Sequence, residues 1–165
     1  MILFILGSIY IFFKPLNIVQ KQHGEIPLLE LSPFTLYELD TTGLRTIMQG
    51  SSGLRYKNRY IVNDINYIDN SRKYLASMQS KKGIYKNDII TLTKDVHYVR
   101  EDGISFDTQK LIYNKTKAIA TSNVGYVAHK DKDTFKGSYI RYNNKKNYIF
   151  SKNVTAKIQL DEVSQ

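Results

Sequence analysis

Two pairs of carboxylates, Asp64 with Asp69 and Glu101 with Asp102, are the side chains whose types and spacing could serve acid–base catalysis. Such catalysis requires two carboxyl groups held together in one cleft. All four lie at predicted turns or on the outward face of predicted strands, where acidic residues support turn formation. His97 also falls on the outward face of its strand, and the sequence shows neither a Ser–His–Asp grouping nor a phosphate-binding glycine loop. We therefore expect no enzymatic activity.

The composition excludes several other kinds of site. The chain has 165 residues, no cysteine and three widely spaced histidines. It therefore has no thiol nucleophile, no disulfide framework and no cysteine-based zinc site, and we predict neither a metal nor a cofactor. With 42% hydrophobic and 12% aromatic residues, the chain is typical of a globular protein of about one domain.

The basic character of the chain raises nucleic-acid binding as an alternative. The net charge is +9, and some of the 13 tyrosines could stack on bases, as they do in small β-barrels. The basic residues, however, are spread along the sequence instead of forming one cluster. The apolar N-terminus also places the domain outside the cytoplasm. We therefore expect no nucleic-acid partner.

The N-terminal segment differs in character from the rest of the chain. Residues 2–13 carry no charge, and as a helix they would span roughly 18 Å of the ~30 Å hydrocarbon core of a bilayer. Continuing to residue 19 lengthens this helix, so residues 1–19 are interpreted as a membrane anchor, complete or shortened by a start codon assigned too late. A cleaved signal peptide and a buried core helix are the alternatives. The apolar residues of the predicted anchor are Ile2, Leu3, Phe4, Ile5, Leu6, Ile9, Ile11, Phe12 and Phe13.

The remaining chain is predicted to consist of a linker (residues 20–33), a β domain (34–160) and a short tail (161–165). In the β domain, apolar residues alternate with polar ones, and the alternation breaks at turn residues. Asp102-Gly103 predicts a tight hairpin whose two central residues both have positive φ. The other breaks fall at residues 50–53, 87–88, 114–115, 131–133 and 143–144. This pattern predicts an all-β fold.

An internal repeat of about 28 residues organises the β domain. In each copy a tyrosine is preceded by apolar or small residues seven, five and two positions earlier. The four tyrosines are Tyr67, Tyr85, Tyr113 and Tyr142. The steps of two place these residues on one face of a strand, and the single step of three indicates a bulge where the strand turns a corner. Such units must stack into one or two curved sheets with an apolar inner face; from periodicity alone, an ordinary packed core is the simpler interpretation of that face.

Several stretches of the β domain carry a family resemblance. They are YIVNDINY at 60–67, DIITLTKDVHY at 88–98, DGISFDTQKLIY at 102–113, FKGSYIRY at 135–142 and KNVTA at 152–156. On these runs, residues 34–158 resemble the LptC family, the membrane-anchored periplasmic proteins of bacterial lipopolysaccharide transport. The chain departs from the family by placing Lys94, Ser122 and Lys152 where relatives often have glycine. The pattern is shared by the soluble relative LptA and by the periplasmic domain of LptD; the anchor-plus-single-domain architecture favours LptC.

This resemblance implies a curved antiparallel β-jellyroll whose open apolar groove holds acyl chains and performs no chemistry. The domain would lie in the periplasm of a Gram-negative bacterium, tethered to the inner membrane by a single-pass anchor. Lipopolysaccharide would enter at the N-terminal edge from the LptF/LptG permease, driven by the LptB ATPase, and leave at the C-terminal edge to LptA by strand addition. The edge residues are Phe34, Leu36, Thr155, Lys157 and Gln159.

The apolar positions of the repeat supply candidates for the groove lining. They are Tyr60, Val62, Ile65, Tyr67, Met78, Ile90, Leu92, Val96, Phe106, Leu111, Tyr113, Val124, Phe135, Ile140, Tyr142, Phe150 and Val154. Candidate phosphate neighbours are Arg55, Lys57, Arg59, Arg72, Lys73, Lys81 and Lys82, although for each of these a solvated surface charge is the simpler interpretation. Two further functions stay open: a soluble LptA-like bridge protein and a surface-binding β-sandwich with a fully packed interior.

Overall fold

The computed structural model describes residues 25–160, and this part of the chain is all β, as predicted. Its strands form one antiparallel sheet. In chain order they are β1 (Leu29–Leu31), β2 (Phe34–Asp40), β3 (Gly43–Gly50), β4 (Ser52–Arg55), β5 (Tyr60–Asp69), β6 (Ala76–Lys86), β7 (Ile89–Arg100), β8 (Ile104–Asn114), β9 (Ile119–Ser122), β10 (Tyr126–Lys130), β11 (Asp133–Gly137), β12 (Tyr139–Asn143), β13 (Tyr148–Lys152) and β14 (Thr155–Lys157).

Of the predicted segments outside the β domain, the linker is the one that the structure describes in part. The predicted anchor and the predicted tail lie outside the described residues. Within the predicted linker, Leu29–Leu31 form β1, which pairs with β4 through Leu29↔Arg55 and Leu31↔Gly53. Strand structure therefore begins before the predicted boundary at residue 34. Nowhere between residues 25 and 160 is there a helix with the length and hydropathy needed to cross a membrane.

The sheet is divided into two halves by a line of bulges and short connections, which we call the bend line. Four long strands cross this line and contribute to both halves. Half A consists of β2, β3, residues 65–69, 76–80, 96–100 and 104–108, β10, β11 and β14. Half B consists of β1, β4, residues 60–63, 82–86, 89–93 and 110–114, β9, β12 and β13.

In β5 the bulge lies where the repeat has its step of three residues. Asp64, between Val62 and Ile65, has φ 48° and is skipped in the pairing of β5 with β6. In β7, Lys94 (φ 65°) and Asp95 (φ 52°) are skipped opposite β8. A residue in the left-handed region interrupts the ladder and bends the strand. The predicted bulge is therefore confirmed, and it is the bend line itself.

One hairpin turn differs in type from the prediction. At Asp102-Gly103 only Gly103 has positive φ (86°), and Arg100 pairs with Ile104 around a three-residue loop. The hairpin is present, but the turn is the three-residue type with a left-handed glycine and not the tight type predicted. The tight turn with two positive φ values lies instead at Asn87-Asp88 (φ 49° and 59°), between the paired residues Lys86 and Ile89.

A small core lies on the inner side of the bend line. Leu92, Val96 and Leu111 are buried together and are packed by partly buried residues from both halves. Across the core, Gly83 of half B lies so close to Ile65 of half A that a Cβ atom on Gly83 would be 2.4 Å from Ile65 Cδ1. Residues of the two halves therefore pack against each other on the inner side of the bend line.

Val96 is expected to be the residue of β7 that matters most for stability. It is 1% exposed, whereas Val99 on the same strand is 37% exposed. Val96→Ala should lower the free energy of unfolding by about 2 kcal/mol, since it removes two buried carbon groups and leaves a cavity. Val99→Ala is the matched control and should change it by less than ~0.5 kcal/mol. Urea unfolding measures both values, and equal losses would contradict the placement of the core.

Candidate functional site

An unbroken row of apolar side chains crosses the inner face of half A from one sheet edge to the other. Residues directly opposite each other in antiparallel strands lie on the same face, so the register defines the row. Its members, in order across nine strands, are Leu36, Met48, Tyr67, Met78, Tyr98, Phe106, Ala128, Phe135 and Ala156. The row connects the N-terminal edge strand β2 with the C-terminal edge strand β14.

A second row, rich in tyrosine, crosses the inner face of half B. Its members are Tyr60, Tyr85, Ile90, Tyr113, Ala120, Tyr142 and Ile149. The rings of Tyr60 and Tyr85 lie 6.0 Å apart. The hydroxyl groups of this row reach the turns: Tyr85 donates to Asp88 (2.8 Å), and Tyr142 donates to Asn144 (3.2 Å). Half B therefore presents aromatic rings inward and hydroxyl groups at the turns.

The cleft between the halves is closed at the bend line by side chains. Besides the small apolar core, Thr108 of half A and Ser122 of half B are hydrogen bonded through their hydroxyl groups (2.8 Å). Further along, Tyr126 of half A is bonded to Ser151 of half B (2.8 Å). These contacts form the floor of the cleft. The turns of both halves lie at the strand ends farthest from this floor, so they border the side of the cleft away from the bend line.

The register places fourteen of the seventeen predicted lining residues on the inner face. They are Tyr60, Val62, Ile65, Tyr67, Met78, Ile90, Leu92, Val96, Phe106, Leu111, Tyr113, Phe135, Ile140 and Tyr142. The register defines only the face on which these residues lie, and their contact with a lipid stays a prediction.

The other three predicted lining residues lie elsewhere. Phe150 pairs with Arg141 and is on the outer face, where its ring meets that of Tyr139 edge-on. The turn at residues 144–147 sets a register in which Ile149 faces inward instead, and a slip of one residue exchanges the faces of a strand. Val154 lies in the connection before β14 and is 49% exposed.

The predicted position of Val124 differs from the structure for another reason. Its spacing from Tyr113 equals that of Val96 from Tyr85, which suggested equivalent positions. In the structure the chain leaves β9 after Ser122 and crosses between the halves at Gly125 (φ 85°), so the spacing is not preserved. Tyr126, two residues later, takes the inner position beside Thr108, and Val124 is 51% exposed.

Sequence reasoning also missed several inner-face residues. Tyr98 lies two residues after Val96 on the same strand, so alternation alone could have identified it. The others became visible only through the pairing of strands distant in sequence. They are Leu36, Met48, Ala120, Tyr126, Ala128, Ile149 and Ala156. Tyr85 also faces inward, and its place in the repeat could have identified it.

Both predicted partner segments lie at sheet edges. Among the residues that the structure describes, β2 pairs with β3 alone and β14 pairs with β11 alone. Phe34 and Leu36 belong to β2, and Thr155 and Lys157 belong to β14. Gln159 follows β14 and donates its backbone N–H to Asp133 Oδ1 (3.0 Å). Each segment presents one unpaired strand side to a partner.

The candidate acid–base residues are separated and engaged in turns or bends. Asp64 lies at the bend line, where a hydrogen bond from Ser51 and the ammonium group of Lys81 lower its pKa. Asp102 lies in the β7–β8 turn, where the Arg100 guanidinium holds its pKa below the usual value. No group of three or more His, Asp or Glu side chains within residues 25–160 is arranged to hold a metal ion.

The remaining candidate groups have similar structural roles. Asp69 accepts hydrogen bonds from the backbone N–H (2.8 Å) and the hydroxyl group (2.5 Å) of Ser71, which fixes the start of the β5–β6 loop. Glu101 accepts a bond from the backbone N–H of Leu75 (3.2 Å). His97 lies on the outer face of half A, 2.6 Å from Asp107.

Burial in the cleft changes the ionisation of Tyr67. Burial, together with the nearby charge of Asp69, raises its pKa to about 12. A raised pKa stabilises the fold fully below the unfolded-state value near 10, and this contribution is lost as the pH rises from 10 through 12.

We expect Tyr67→Phe to abolish this pH dependence. Between pH 9 and pH 11 the free energy of unfolding should decrease more in the unmodified protein than in the variant. The difference between the two decreases should be at most roughly 1 kcal/mol, because solvent screens the exposed part of the ring. Urea unfolding at the two pH values measures the difference. The same decrease in both proteins would place Tyr67 outside the cleft.

Comparison with known proteins supports the fold. No protein-family model matches the chain, and no curated protein matches it. Among solved structures the chain is similar to LptH of Pseudomonas aeruginosa, the LptA-homologous periplasmic component of the lipopolysaccharide transport device. The likeness has a TM-score of 0.53 and 12% sequence identity, and covers 82% of this chain and 97% of LptH. At this identity it shows a shared LptA-like β-jellyroll fold.

Proposed function

We propose that this protein transports lipopolysaccharide by holding its acyl chains in the cleft between the two halves of the sheet. The observation that carries this proposal is the apolar row of half A, which runs without interruption from edge strand to edge strand. Each methylene group buried against such a surface contributes about 0.8 kcal/mol. Many small contacts of this kind hold a chain firmly and still let it slide along the row.

The open interior supports lipid binding over a packed β-sandwich. Among the residues that the structure describes, the buried hydrophobic side chains are Leu92, Val96, Leu111, Ala118 and Tyr126. Most side chains of the two inner rows are only partly buried, whereas a sandwich core is filled by interdigitating residues of both sheets. The surface-binding β-sandwich predicted a packed interior and is therefore disfavoured. With its carboxylates engaged in turns, the protein is proposed to act without catalysis.

The partners in this proposal are those of an LptC-like protein. The N-terminal residues 1–19 would anchor the chain in the inner membrane beside the LptF/LptG permease and its LptB ATPase, with residues 34–160 in the periplasm. Lipopolysaccharide would enter at β2 and leave at β14 to LptA. The unpaired edges of β2 and β14, at opposite ends of one apolar row, support a lipid path between these two strands.

A soluble, LptA-like bridge protein is the second candidate. The observation that favours it is the similarity to LptH, which is an LptA homologue. The two candidates share the cleft and both edges, and differ in the fate of the N-terminus. Membrane fractionation of the expressed full chain distinguishes them: an LptC-like protein stays with the inner membrane, and an LptA-like protein is released with the periplasm.

Lipid binding is tested by displacement of an environment-sensitive fluorescent fatty acid. The proposal expects the probe to bind the purified protein and lipopolysaccharide to displace it. Polysaccharide from which the acyl chains have been removed is the matched control and should not displace the probe. Absence of probe binding, or equal displacement by the delipidated polysaccharide, would contradict the proposed function.

A further inference from the structure

The turns at the open side of the cleft form two lips of different charge. The lip of half B consists of residues 56–59, 86–88, 114–118 and 143–147, and we call it the basic lip. It carries seven cationic side chains, Lys57, Arg59, Lys86, Lys115, Lys117, Lys145 and Lys146, and one anionic side chain, Asp88. The lip of half A, residues 40–43, 69–75, 100–103 and 130–133, carries five cationic and six anionic side chains.

The charges of the half A lip are largely neutralised within the fold. Arg100 pairs with Asp102 at 2.7 Å, and Lys130 pairs with Asp131 at 3.2 Å. Asp40 pairs with Arg45 at 3.3 Å. This lip therefore offers little net attraction to an ion outside it.

The cations of the basic lip have few anionic partners. Among the described residues, Arg59 is the member of this lip with an ion pair, to Glu25 at 2.5 Å. Asp88 accepts hydrogen bonds from Tyr85 (2.8 Å) and Thr116 (3.3 Å), and no ion pair joins it to another described residue. The basic lip thus keeps a large net positive charge directed at the solvent.

Three turns of the basic lip are joined into one surface by hydrogen bonds. Lys115 N–H donates to the Asp88 carbonyl (2.9 Å), and Asn144 N–H donates to the Ala118 carbonyl (2.9 Å). Lys145 Nζ donates to the Thr116 carbonyl (3.1 Å). The lysines therefore lie on one continuous edge, although they are up to about sixty residues apart in the sequence.

The tyrosine row of half B lies directly inside this edge. Tyr85 and Tyr142 extend their hydroxyl groups to the turns while their rings face the cleft. Tyrosine suits a boundary between an apolar interior and a polar headgroup region, because its ring is apolar and its tip is polar. From the cleft outward to the turns of half B, the tyrosine rings come first, their hydroxyl groups next and the lysine ammonium groups of the basic lip last.

We infer that the basic lip binds the phosphorylated headgroup of the amphiphile whose acyl chains occupy the cleft. This inference rests on the proposed function. Because contacts between the halves close the cleft at the bend line, a headgroup that extends away from the bend line meets the turns of the two lips. Of the two, the basic lip carries the net positive charge, with seven cations against one anion, whereas the half A lip has five cations against six anions. The amphiphile is thereby oriented, with its phosphates against half B.

The test compares lipid A with its dephosphorylated form, which has the same acyl chains. The variant is Lys86→Gln, Lys115→Gln, Lys117→Gln and Lys146→Gln, all in turns of the basic lip. The control, with the same loss of charge, is Lys94→Gln, Lys110→Gln, Lys136→Gln and Lys152→Gln beside the bend line, about 15 Å or more away along the strands. Affinities are measured by displacement of the fluorescent fatty acid at low salt, where surface charges are least screened.

The inference expects the unmodified protein and the bend-line control to bind lipid A at least about tenfold more tightly than the dephosphorylated form. The basic-lip variant should bind the two forms equally. Unchanged preference in the variant, or equal loss in both variants, would overturn the inference while leaving the proposed function intact. Failure of the unmodified protein to bind the dephosphorylated form would overturn the proposed function itself.

Two further arms identify the source of the phosphate. Inorganic phosphate should compete only weakly, since the inference requires the acyl chains to hold the headgroup at the lip. Vesicles of phosphatidylglycerol test docking on a membrane surface. Loss of vesicle binding in the basic-lip variant with an unchanged lipid A affinity would mean that this lip contacts a bilayer, and would also overturn the inference.

Discussion

Tyr98→Asp is expected to lower the affinity for an uncharged acyl probe by at least about thirtyfold, which corresponds to roughly 2 kcal/mol. Tyr98 lies in the middle of the apolar row of half A, between Met78 and Phe106 in the register. An acyl chain crossing this position would have to cover an unpaired carboxylate, which is strongly unfavourable in an apolar environment.

Val99→Asp is the matched control for this substitution. Val99 is the next residue on the same strand and lies on the outer face, where it is 37% exposed. The affinity of the Val99→Asp variant for the acyl probe should therefore change by less than about twofold. Thermal unfolding of both variants shows whether the folds are intact. Equal losses of affinity in two folded variants would mean that the inner face of half A is not the lipid surface.

Removal of β14 is expected to abolish docking of the downstream partner and to leave acyl binding in place. A chain that ends at Val154 lacks the edge strand, whose single partner among the described residues is β11. Strand addition depends on the unpaired backbone groups and the side chains of such an edge. The proposed partner is LptA, and binding of purified LptA is measured directly.

A chain that ends at Leu160 provides the control for this truncation, because it keeps β14 and loses only residues 161–165. It should bind LptA as the full chain does, and both truncated chains should bind the fluorescent fatty acid. Retained LptA docking in the chain without β14 would refute the C-terminal edge as the contact. Loss of acyl binding would instead show that β14 is needed for the cleft.

The sequence was sufficient to predict the fold class and most of the inner face. Alternation in strands of five or more residues determines which side chains share a face. The step of three residues in the repeat marked the bulge at Asp64 in advance. The positions with the correct face, such as Ile65, Met78 and Leu111, are those in which this local periodicity continues through one strand.

The misplaced positions depend on how separate strands are joined. Phe150 follows a turn whose length sets its register, and Val124 lies in the segment that crosses between the two halves; neither is encoded in local alternation. Most of the basic lip was missed for a related reason, since only Lys57 and Arg59 of its seven cations were candidate phosphate neighbours. Its lysines are scattered in the sequence, which argued against a cluster, but each follows or ends a strand of half B, and the antiparallel pairing brings these turns to one edge.

Photo-crosslinking in cells tests the central claim, that the cleft holds lipopolysaccharide, most directly. A light-activated phenylalanine analogue is placed at Phe106, whose ring lies on the inner face and stacks on Tyr126 with centroids 5.7 Å apart. The same analogue at the neighbouring Asp107 and at Phe150 provides two controls on the outer face. We expect a lipopolysaccharide adduct at position 106 and no adduct at positions 107 and 150. Adducts at none of the three positions, in folded and abundant protein, would contradict lipid transport and favour a surface-binding β-sandwich.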